Sequence, residues 1–209
     1  MPGPDTVRPS VAGQSQSVDF SLGHDGGVFF LRLVSEDGMN RLTRRKIIAL
    51  DEEIRNMASC DTPVLPLIIS GERNFSAGAD LHEIRHLSGC EALEFASIGQ
   101  SLMNAIANYP ARVIAAIEGH CMGGGLDLAL ACHRRIAAPH AVFGHRGAAL
   151  GLMTGWGGTQ RLPRLIGKGR ALELFIAAEK IPAARALEIG LVDAIADDPV
   201  AEALRQLQP

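Results

Sequence analysis

Short apolar runs of strand length recur along the chain and predict the strands of a sheet. Residues 28–34 (VFFLRLV) and 112–117 (RVIAAI) are rich in aromatic or β-branched side chains. A third run, residues 64–70, contains Pro66, which cannot donate a hydrogen bond to a sheet ladder. We therefore expect three strands here, with a bulge or an unpaired position at Pro66.

Apolar positions at helical spacing lie between and after these runs. Thr43 is a good N-cap for a helix that reaches about residue 59, and helical patterns also cover residues 81–87 and 92–108. Two more short strands are expected at residues 135–138 and 141–143. Because parallel neighbouring strands need crossover connections, this alternation predicts an α/β fold with a largely parallel sheet.

The two ends of the chain differ from this middle part. Residues 1–17 are rich in Pro, Gly, Ser and Gln with little to bury, which predicts a disordered leader. We expect residues 18–209 to form one domain, with a helical C-terminal region from about residue 158. Glycine and proline predict breaks in that region near residues 167–169 and 181–182.

Composition narrows the class of protein. The 209 residues are 47% hydrophobic and 21% charged, which is ordinary for a domain with a sizeable core. A net charge of −3 gives no electrostatic reason to expect nucleic acid or an anionic membrane surface as a partner. The four cysteines form no CxxC pair, no apolar run reaches transmembrane length, and no signal peptide is recognisable. We therefore expect a cytoplasmic protein.

Two glycine-containing loops carry the candidate chemistry. The run at residues 112–117 leads into three consecutive glycines, Gly123 to Gly125, which open a helical pattern, and residues 74–81 (NFSAGADL) repeat this arrangement. Glycine lets a ligand approach the backbone, and the first N–H groups of a helix lack internal partners. Together the loops could polarise one carbonyl group. The alternative is that both are connections that serve packing alone.

The two loops together resemble those of the enoyl-CoA hydratase/isomerase (crotonase) family. The resemblance continues through residues 151–174 (GLMTGWGGTQRLPRLIGKGRALEL) and 186–195 (ALEIGLVDAI), and covers about residues 27–197. It implies a ββα spiral core, an acyl-CoA thioester as substrate with no other cofactor, and assembly as a homotrimer or a dimer of trimers. Family members usually continue for several tens of residues, so the helical C-terminal region is expected to be shortened.

The resemblance also assigns roles to individual residues. The two amides that bind the thioester oxygen correspond to those of Ala79 and Gly124, and the first catalytic glutamate of the hydratases corresponds to Asp127. The second glutamate is replaced by Gly147, which has no side chain. His145 and Arg146 lie beside that position. His145 is the candidate for a substitute acid or base, because imidazole titrates near neutral pH, whereas Arg146 could hold a carboxylate or phosphate. The alternative is a surface or structural role for each.

Further residues are expected to contact the substrate. His82 would approach the phosphates of CoA, unless it belongs to a solvated helix face, and Trp156 would form a wall of the acyl pocket, unless it is part of the core. The full set of expected substrate contacts is Ala77, Gly78, Asp80, Leu81, His82, Gly123, Gly147 and Trp156.

A competing motif lies beside the first loop. His82 to His86 (HEIRH) match the HExxH pattern of zinc proteases, in which two imidazoles share one helix face. Ala92 stands where the extended motif would place a third histidine, and Arg85 is atypical inside it. We therefore predict no metal site.

Several reactions remain open. A single carboxylate, Asp127, best suits double-bond isomerisation, in which one group removes a proton and returns it. The protein would then be a lyase or isomerase of fatty acid metabolism. Hydrolysis, decarboxylation and hydration with an atypical second group are alternatives, as is a catalytically weak acyl-CoA-binding subunit. Restoring a carboxylate by Gly147→Glu, with Asp127→Glu to recover reach, is expected to raise hydration if the oxyanion site is intact.

Overall fold

The computed structural model describes residues 12–16, 19–59 and 63–208. In these ranges the chain alternates short strands with helices, as the sequence pattern predicts. The strands are β1 (Ala12–Gln16), β2 (Phe20–Asp25), β3 (Val28–Leu33), β4 (Leu67–Gly71), β5 (Val113–Ile117), β6 (His120–Met122), β7 (Arg134–Ala137), β8 (Val142–Gly144), β9 (Ile181–Pro182) and β10 (Ala194–Ile195).

The helices lie between these strands and dominate the C-terminal region. A single turn of 3-10 helix, Ala148–Leu150, follows β8. None of the helices in the described part of the chain is long and apolar enough to cross a bilayer. The α-helices are α1 (Arg44–Ala58), α2 (Leu81–Ile84), α3 (Gly89–Ala107), α4 (Gly124–Ala131), α5 (Gly158–Ile166), α6 (Lys168–Ala177), α7 (Ala183–Glu188) and α8 (Pro199–Leu207).

The strands form two sheets. The larger sheet has the order β1-β2-β3-β4-β5-β7-β10, antiparallel from β1 to β3 and parallel from β3 onward. The smaller sheet has the order β6-β8-β9. Between β5 and β6 the chain passes from the large sheet to the small one at Gly119, whose φ of 52° suits glycine. This arrangement confirms the predicted α/β class with a spiral core and a helical C-terminal region.

Local chemistry sets the start of the long helices. The Thr43 hydroxyl accepts a hydrogen bond from the Lys46 N–H at 3.2 Å, so α1 begins where its cap predicts. Helix α3 begins at Gly89, three residues before the expected start, because Ser88 and Glu91 form a capping box. Helix α2 is shorter than expected and ends at Ile84.

The strands and the N-terminal residues differ from the prediction in three ways. Strand β4 begins at Leu67, so Pro66 precedes the ladder instead of forming a bulge, and its carbonyl accepts from Phe29 N–H at 2.9 Å. Strands β2, β6 and β9 were not predicted. Of the expected disordered leader, residues 1–11 and 17 lie outside the described residues, whereas Ala12–Gln16 forms β1 because it pairs with β2.

Both faces of the large sheet are covered. Every residue of β4 and β5 is buried, as expected for central parallel strands. One face packs against α1, α3 and α4 in the main apolar core. The other face is covered by α8, whose Ala203 packs near Ile68 and Ile114. This core fixes the ends of β4 and β6, and the candidate site lies beside those ends.

Candidate active site

A cavity of about 550 Å³ lies beside the loops that follow β4 and β6. Its wall is mostly apolar, and it receives contributions from α3, α4, α6 and the segment between β8 and α5. Of the residues predicted from the sequence, nine line it: Ala77, Ala79, Leu81, Gly123, Gly124, Asp127, His145, Gly147 and Trp156. Three others, Gly78, Asp80 and His82, do not line it.

The two glycine-containing loops are joined by backbone hydrogen bonds. Ser76 N–H donates to His120 O, and Met122 N–H donates to Ser76 O, both at 2.9 Å. At Gly78, φ is +92°, and a Cβ there would lie only 2.9 Å from Gly124 N. Only glycine therefore permits this approach of the loops.

The amides of Ala79 and Gly124 have no acceptor among the described residues. Their neighbours do: Gly78 N–H donates to Ser76 Oγ at 3.1 Å, and Asp80 N–H donates to Leu42 O at 3.3 Å. Gly124 is the first residue of α4, where an N–H has no partner within the helix. Two unsatisfied donors in one cavity wall can bind a carbonyl oxygen or an oxyanion.

Trp156 lies between α3 and α4. Its indole N–H donates to Phe95 O at 3.3 Å, and its ring is so close to Gly124 that a Cβ there would lie 2.2 Å from it. A Cβ at Gly99 would meet the other edge of the indole at 2.1 Å. Trp156 is only 4% exposed and lines the cavity, so it is both core and pocket wall.

Asp127 is a buried carboxylate in the first turn of α4, with 1% of its surface exposed. Burial raises its pKa to about 7, although the Thr154 hydroxyl bonded to Oδ2, the positive charge of Arg161 and the nearby Trp156 and Gly158 N–H groups oppose this shift. A carboxyl group with a pKa near neutral can both take up and release a proton at neutral pH.

His145 lies beside Asp127. Its Nε2 is 3.5 Å from Asp127 Oδ1, and its ring packs on Phe175 with centroids 5.2 Å apart. Burial lowers the His145 pKa to about 4, so the imidazole is neutral at neutral pH and the pair is not an ion pair. Among the described residues neither facing atom has a hydrogen-bond partner.

Gly147 has a conformation that leaves no room for a side chain. Its carbonyl accepts from the N–H groups of Leu150 and Leu152, both at 2.8 Å, and a Cβ at Gly147 would lie 2.6 Å from Leu152 O. A glutamate at this position could enter the cavity only if the loop moved. The expectation that Gly147→Glu with Asp127→Glu raises hydration therefore stays a prediction, and it requires movement of this loop.

The HEIRH segment does not have the geometry of a zinc motif. Helix α2 ends at Ile84, so His86 is not on the same helix as His82. Glu83 accepts a hydrogen bond from Arg44 N–H at 2.8 Å, and Arg85 Nε donates to His86 Nε2 at 2.9 Å. Within the described ranges no group of three or more His, Cys, Asp and Glu side chains could hold a metal ion.

Protein purified without added metal is expected to contain no stoichiometric zinc, because the two imidazoles of HEIRH do not share a helix face. Elemental analysis of the natural protein and of the His86→Ala variant checks this. A zinc content near one per chain that is lost on His86→Ala would contradict the prediction.

Three residues around Asp127 were not singled out in the sequence. Thr154 is its hydrogen-bond donor, Gly158 leaves room for its carboxylate, and Arg161 places a positive charge nearby. These residues lie 27 to 34 positions after Asp127 in a stretch noted only for its resemblance. No periodicity or spacing in that stretch indicates the contacts, because they arise from packing of α5 on α4.

The sequence of this chain is similar to those of known proteins. A family model described as enoyl-CoA hydratase/isomerase matches residues 27–208. The chain is 41% identical over 160 residues to a crotonyl-CoA hydratase of Syntrophomonas wolfei, covering 75% of this chain and 61% of the relative. It is 46% identical over 153 residues to a probable enoyl-CoA hydratase of Bacillus subtilis, covering 69% of this chain and 59% of the relative. It thus spans about six tenths of the length of these relatives.

A solved structure shows the same likeness. The crystal structure of an enoyl-CoA hydratase from Bacillus anthracis superimposes with a TM-score of 0.85 at 33% identity, over 90% of this chain and 75% of that chain. The fold and the sequence therefore lead to the same group of proteins.

Proposed function

Because the chain belongs to the enoyl-CoA hydratase/isomerase family, we propose that it binds an acyl-CoA thioester with the carbonyl oxygen between the amides of Ala79 and Gly124. Both residues line the cavity, and neither N–H has an acceptor among the described residues. These donors would stabilise the negative charge that develops on the oxygen when the adjacent carbon loses a proton. Gly124 adds the positive end of α4.

The proposed reaction is double-bond isomerisation. The observation that carries it is that Asp127 is the only carboxylate among the described residues that line the cavity. In a 3-enoyl-CoA, the Asp127 carboxylate would take a proton from the α-carbon and the double bond would move into conjugation with the thioester. The resulting carboxyl group would return the proton to the γ-carbon, so that no water is consumed.

A labelled substrate tests this reaction. We expect a 3-enoyl-CoA with deuterium on its α-carbon to yield a 2-enoyl-CoA that carries part of the label on the γ-carbon, because one carboxylate removes and returns the same hydrogen. Mass spectrometry and proton NMR of the product measure the transfer, with Asp127→Asn as the inactive control. Isomerisation in which the label is lost completely to water would contradict the single-base mechanism.

Hydration is the second candidate. It is supported by relatives named crotonyl-CoA hydratase and probable enoyl-CoA hydratase, and by the buried His145 in the same cavity. Crotonyl-CoA distinguishes the two, because its double bond is already conjugated with the thioester, so isomerisation is unfavourable and net conversion requires the addition of water. Rapid hydration that disappears on His145→Ala, with acyl-CoA binding retained, would favour hydration. A protein that binds acyl-CoA but converts neither substrate would be a binding subunit.

We also propose that copies of this protein associate with one another. Helix α6 exposes the large apolar side chains of Leu172 and Ile176, and exposed apolar side chains are typical of surfaces that pack against another subunit. The family resemblance suggests a homotrimer or a dimer of trimers.

A further inference from the structure

Two buried polar atoms in the cavity wall face one another without hydrogen-bond partners. Asp127 Oδ1 and His145 Nε2 are 3.5 Å apart, and among the described residues neither atom has a partner. Buried polar groups in folded proteins are nearly always hydrogen-bonded, because an unpaired one loses its bonds to water without replacement. One proton between these two atoms would satisfy both.

We propose that His145 is a positioning residue for Asp127, in which the neutral imidazole donates its Nε2 hydrogen to Oδ1 and holds the carboxylate in its charged form. A hydrogen bond to the charged form of an acid favours that form. Thr154 already donates to Oδ2, and the N–H groups of Trp156 and Gly158 also favour the charged carboxylate, so a hydrogen bond from His145 to Oδ1 would add to these contacts. The catalytic meaning of this arrangement rests on the proposed function.

The surroundings keep His145 a neutral donor. Its ring packs on Phe175, and burial lowers its pKa to about 4. Other titratable groups lie around the pair. The positive charge of Arg161 from α5 lowers the Asp127 pKa, and the charge of Asp127 raises the pKa of the buried Cys121 from β6. His120, Arg146 and Lys180 line the same cavity. None of these replaces the missing donor to Oδ1.

The absence of a side chain at Gly158 allows Asp127 Oδ1 and His145 Nε2 to lie close together. A Cβ at this position would lie 2.1 Å from Asp127 Oδ1 and 3.1 Å from His145 Nε2. Gly158 is the first residue of α5, so alanine suits its place in the helix. Alanine at position 158 would therefore place a methyl group against both atoms while leaving both side chains chemically unchanged.

The ionisation of Asp127 in the substrate-free protein tests the proposal. Carboxyl-carbon NMR titration, with the signal assigned by its loss in Asp127→Asn, gives the Asp127 pKa in each variant. We expect His145→Leu to raise this pKa by about one unit, because the donor is lost, and His145→Gln to restore it, because an amide N–H can donate. Gly158→Ala should also raise it.

A matched control separates this effect from a general disturbance. Gly169 lies in α6, and a Cβ there would meet nothing within 4 Å, so Gly169→Ala should leave the Asp127 pKa unchanged. The pH profile of kcat for isomerisation should follow the NMR result, with its acidic limb displaced toward higher pH in His145→Leu and restored in His145→Gln.

An unchanged Asp127 pKa in both His145→Leu and Gly158→Ala would overturn the proposal. So would a fall in rate at every pH without displacement of the profile, since that indicates a structural role alone. Because the titration needs no substrate, a displaced pKa in a protein that converts no acyl-CoA would support the hydrogen bond and count against the proposed function.

Discussion

Replacing Asp127 by asparagine is expected to abolish turnover and, at the same time, to stabilise the folded protein at alkaline pH. The loss of activity follows from removing the only carboxylate among the described residues of the cavity wall. Loss of one positioned acid or base typically costs about 10² to 10⁴ in rate. The gain in stability follows from the cost of keeping a charged carboxylate buried.

The direction of the pH dependence follows from the two pKa values. The folded-state pKa of Asp127 is about 7, above the ordinary value of a carboxyl group in the unfolded chain. The folded state therefore binds the proton more tightly, and stability from this group falls as pH rises from about 4 to 7. His145, with a folded-state pKa of about 4, has the opposite effect over about pH 4 to 6.5, since the unfolded chain binds its proton more tightly.

Comparing Asp127→Asn with the natural protein isolates the carboxylate, because His145 is present in both. We expect the free energy of unfolding of the variant to exceed that of the natural protein by up to about 4 kcal/mol at about pH 8, and by less than about 1 kcal/mol at about pH 4. Urea unfolding at the two pH values measures it. Asp197→Asn, at an exposed position, is the control and should show no such gain. Equal or lower stability of Asp127→Asn at about pH 8 would contradict the prediction.

Replacing Gly124 by valine is expected to remove productive acyl-CoA binding. A Cβ at position 124 would lie 2.2 Å from the Trp156 ring, and valine adds two methyl groups beyond it. Either the indole or the first turn of α4 must move, and movement of that turn displaces the Gly124 N–H. Losing one oxyanion donor costs about 10² to 10³ in rate, and overpacking costs about 1 to 3 kcal/mol of stability. Calorimetry with an acyl-CoA and turnover of a 3-enoyl-CoA measure both effects.

Gly89→Val is the matched control for this substitution. Gly89 is also the first residue of a helix, but a Cβ there would meet nothing within 4 Å, so binding should be unaffected. The smaller change Gly124→Ala should weaken binding less, and adding Trp156→Leu should recover part of the loss if the clash with the indole is its cause. Tight binding and full turnover by Gly124→Val would mean that this amide does not contact the thioester.

The parts of the fold that were predicted correctly depend on local chemistry. Thr43 caps α1 because its hydroxyl reaches an N–H three residues ahead, and β5 is recognisable because a central parallel strand is apolar on both faces. The strand β1 could not be predicted in this way. Its sequence, AGQSQ, has no alternation of apolar and polar residues, and it is a strand because it pairs with β2, which follows it in the chain.

In the candidate site, too, features set by the local sequence could be predicted and features set by tertiary contacts could not. Gly124 and Asp127 could be assigned from the sequence because both belong to one short motif that resembles the family's, and both line the cavity. The raised pKa of Asp127 could not, because it depends on burial beneath the segment that holds Thr154 and Trp156. The backbone of Gly147, which excludes a side chain, likewise depends on hydrogen bonds within a folded loop.

The first turn of α4 carries both Gly124 and Asp127. Three residues of α-helix advance about 4.5 Å along the axis, so the spacing of these two groups is set by helix geometry. The segment between β8 and α5 contributes much of the remaining wall, including the exposed Leu150 and Met153. Laboratory evolution of substrate range can therefore begin with randomised libraries at Leu150 and Met153. Changes at these positions leave the spacing between the Gly124 N–H and the Asp127 carboxylate unaltered, because both groups lie on α4.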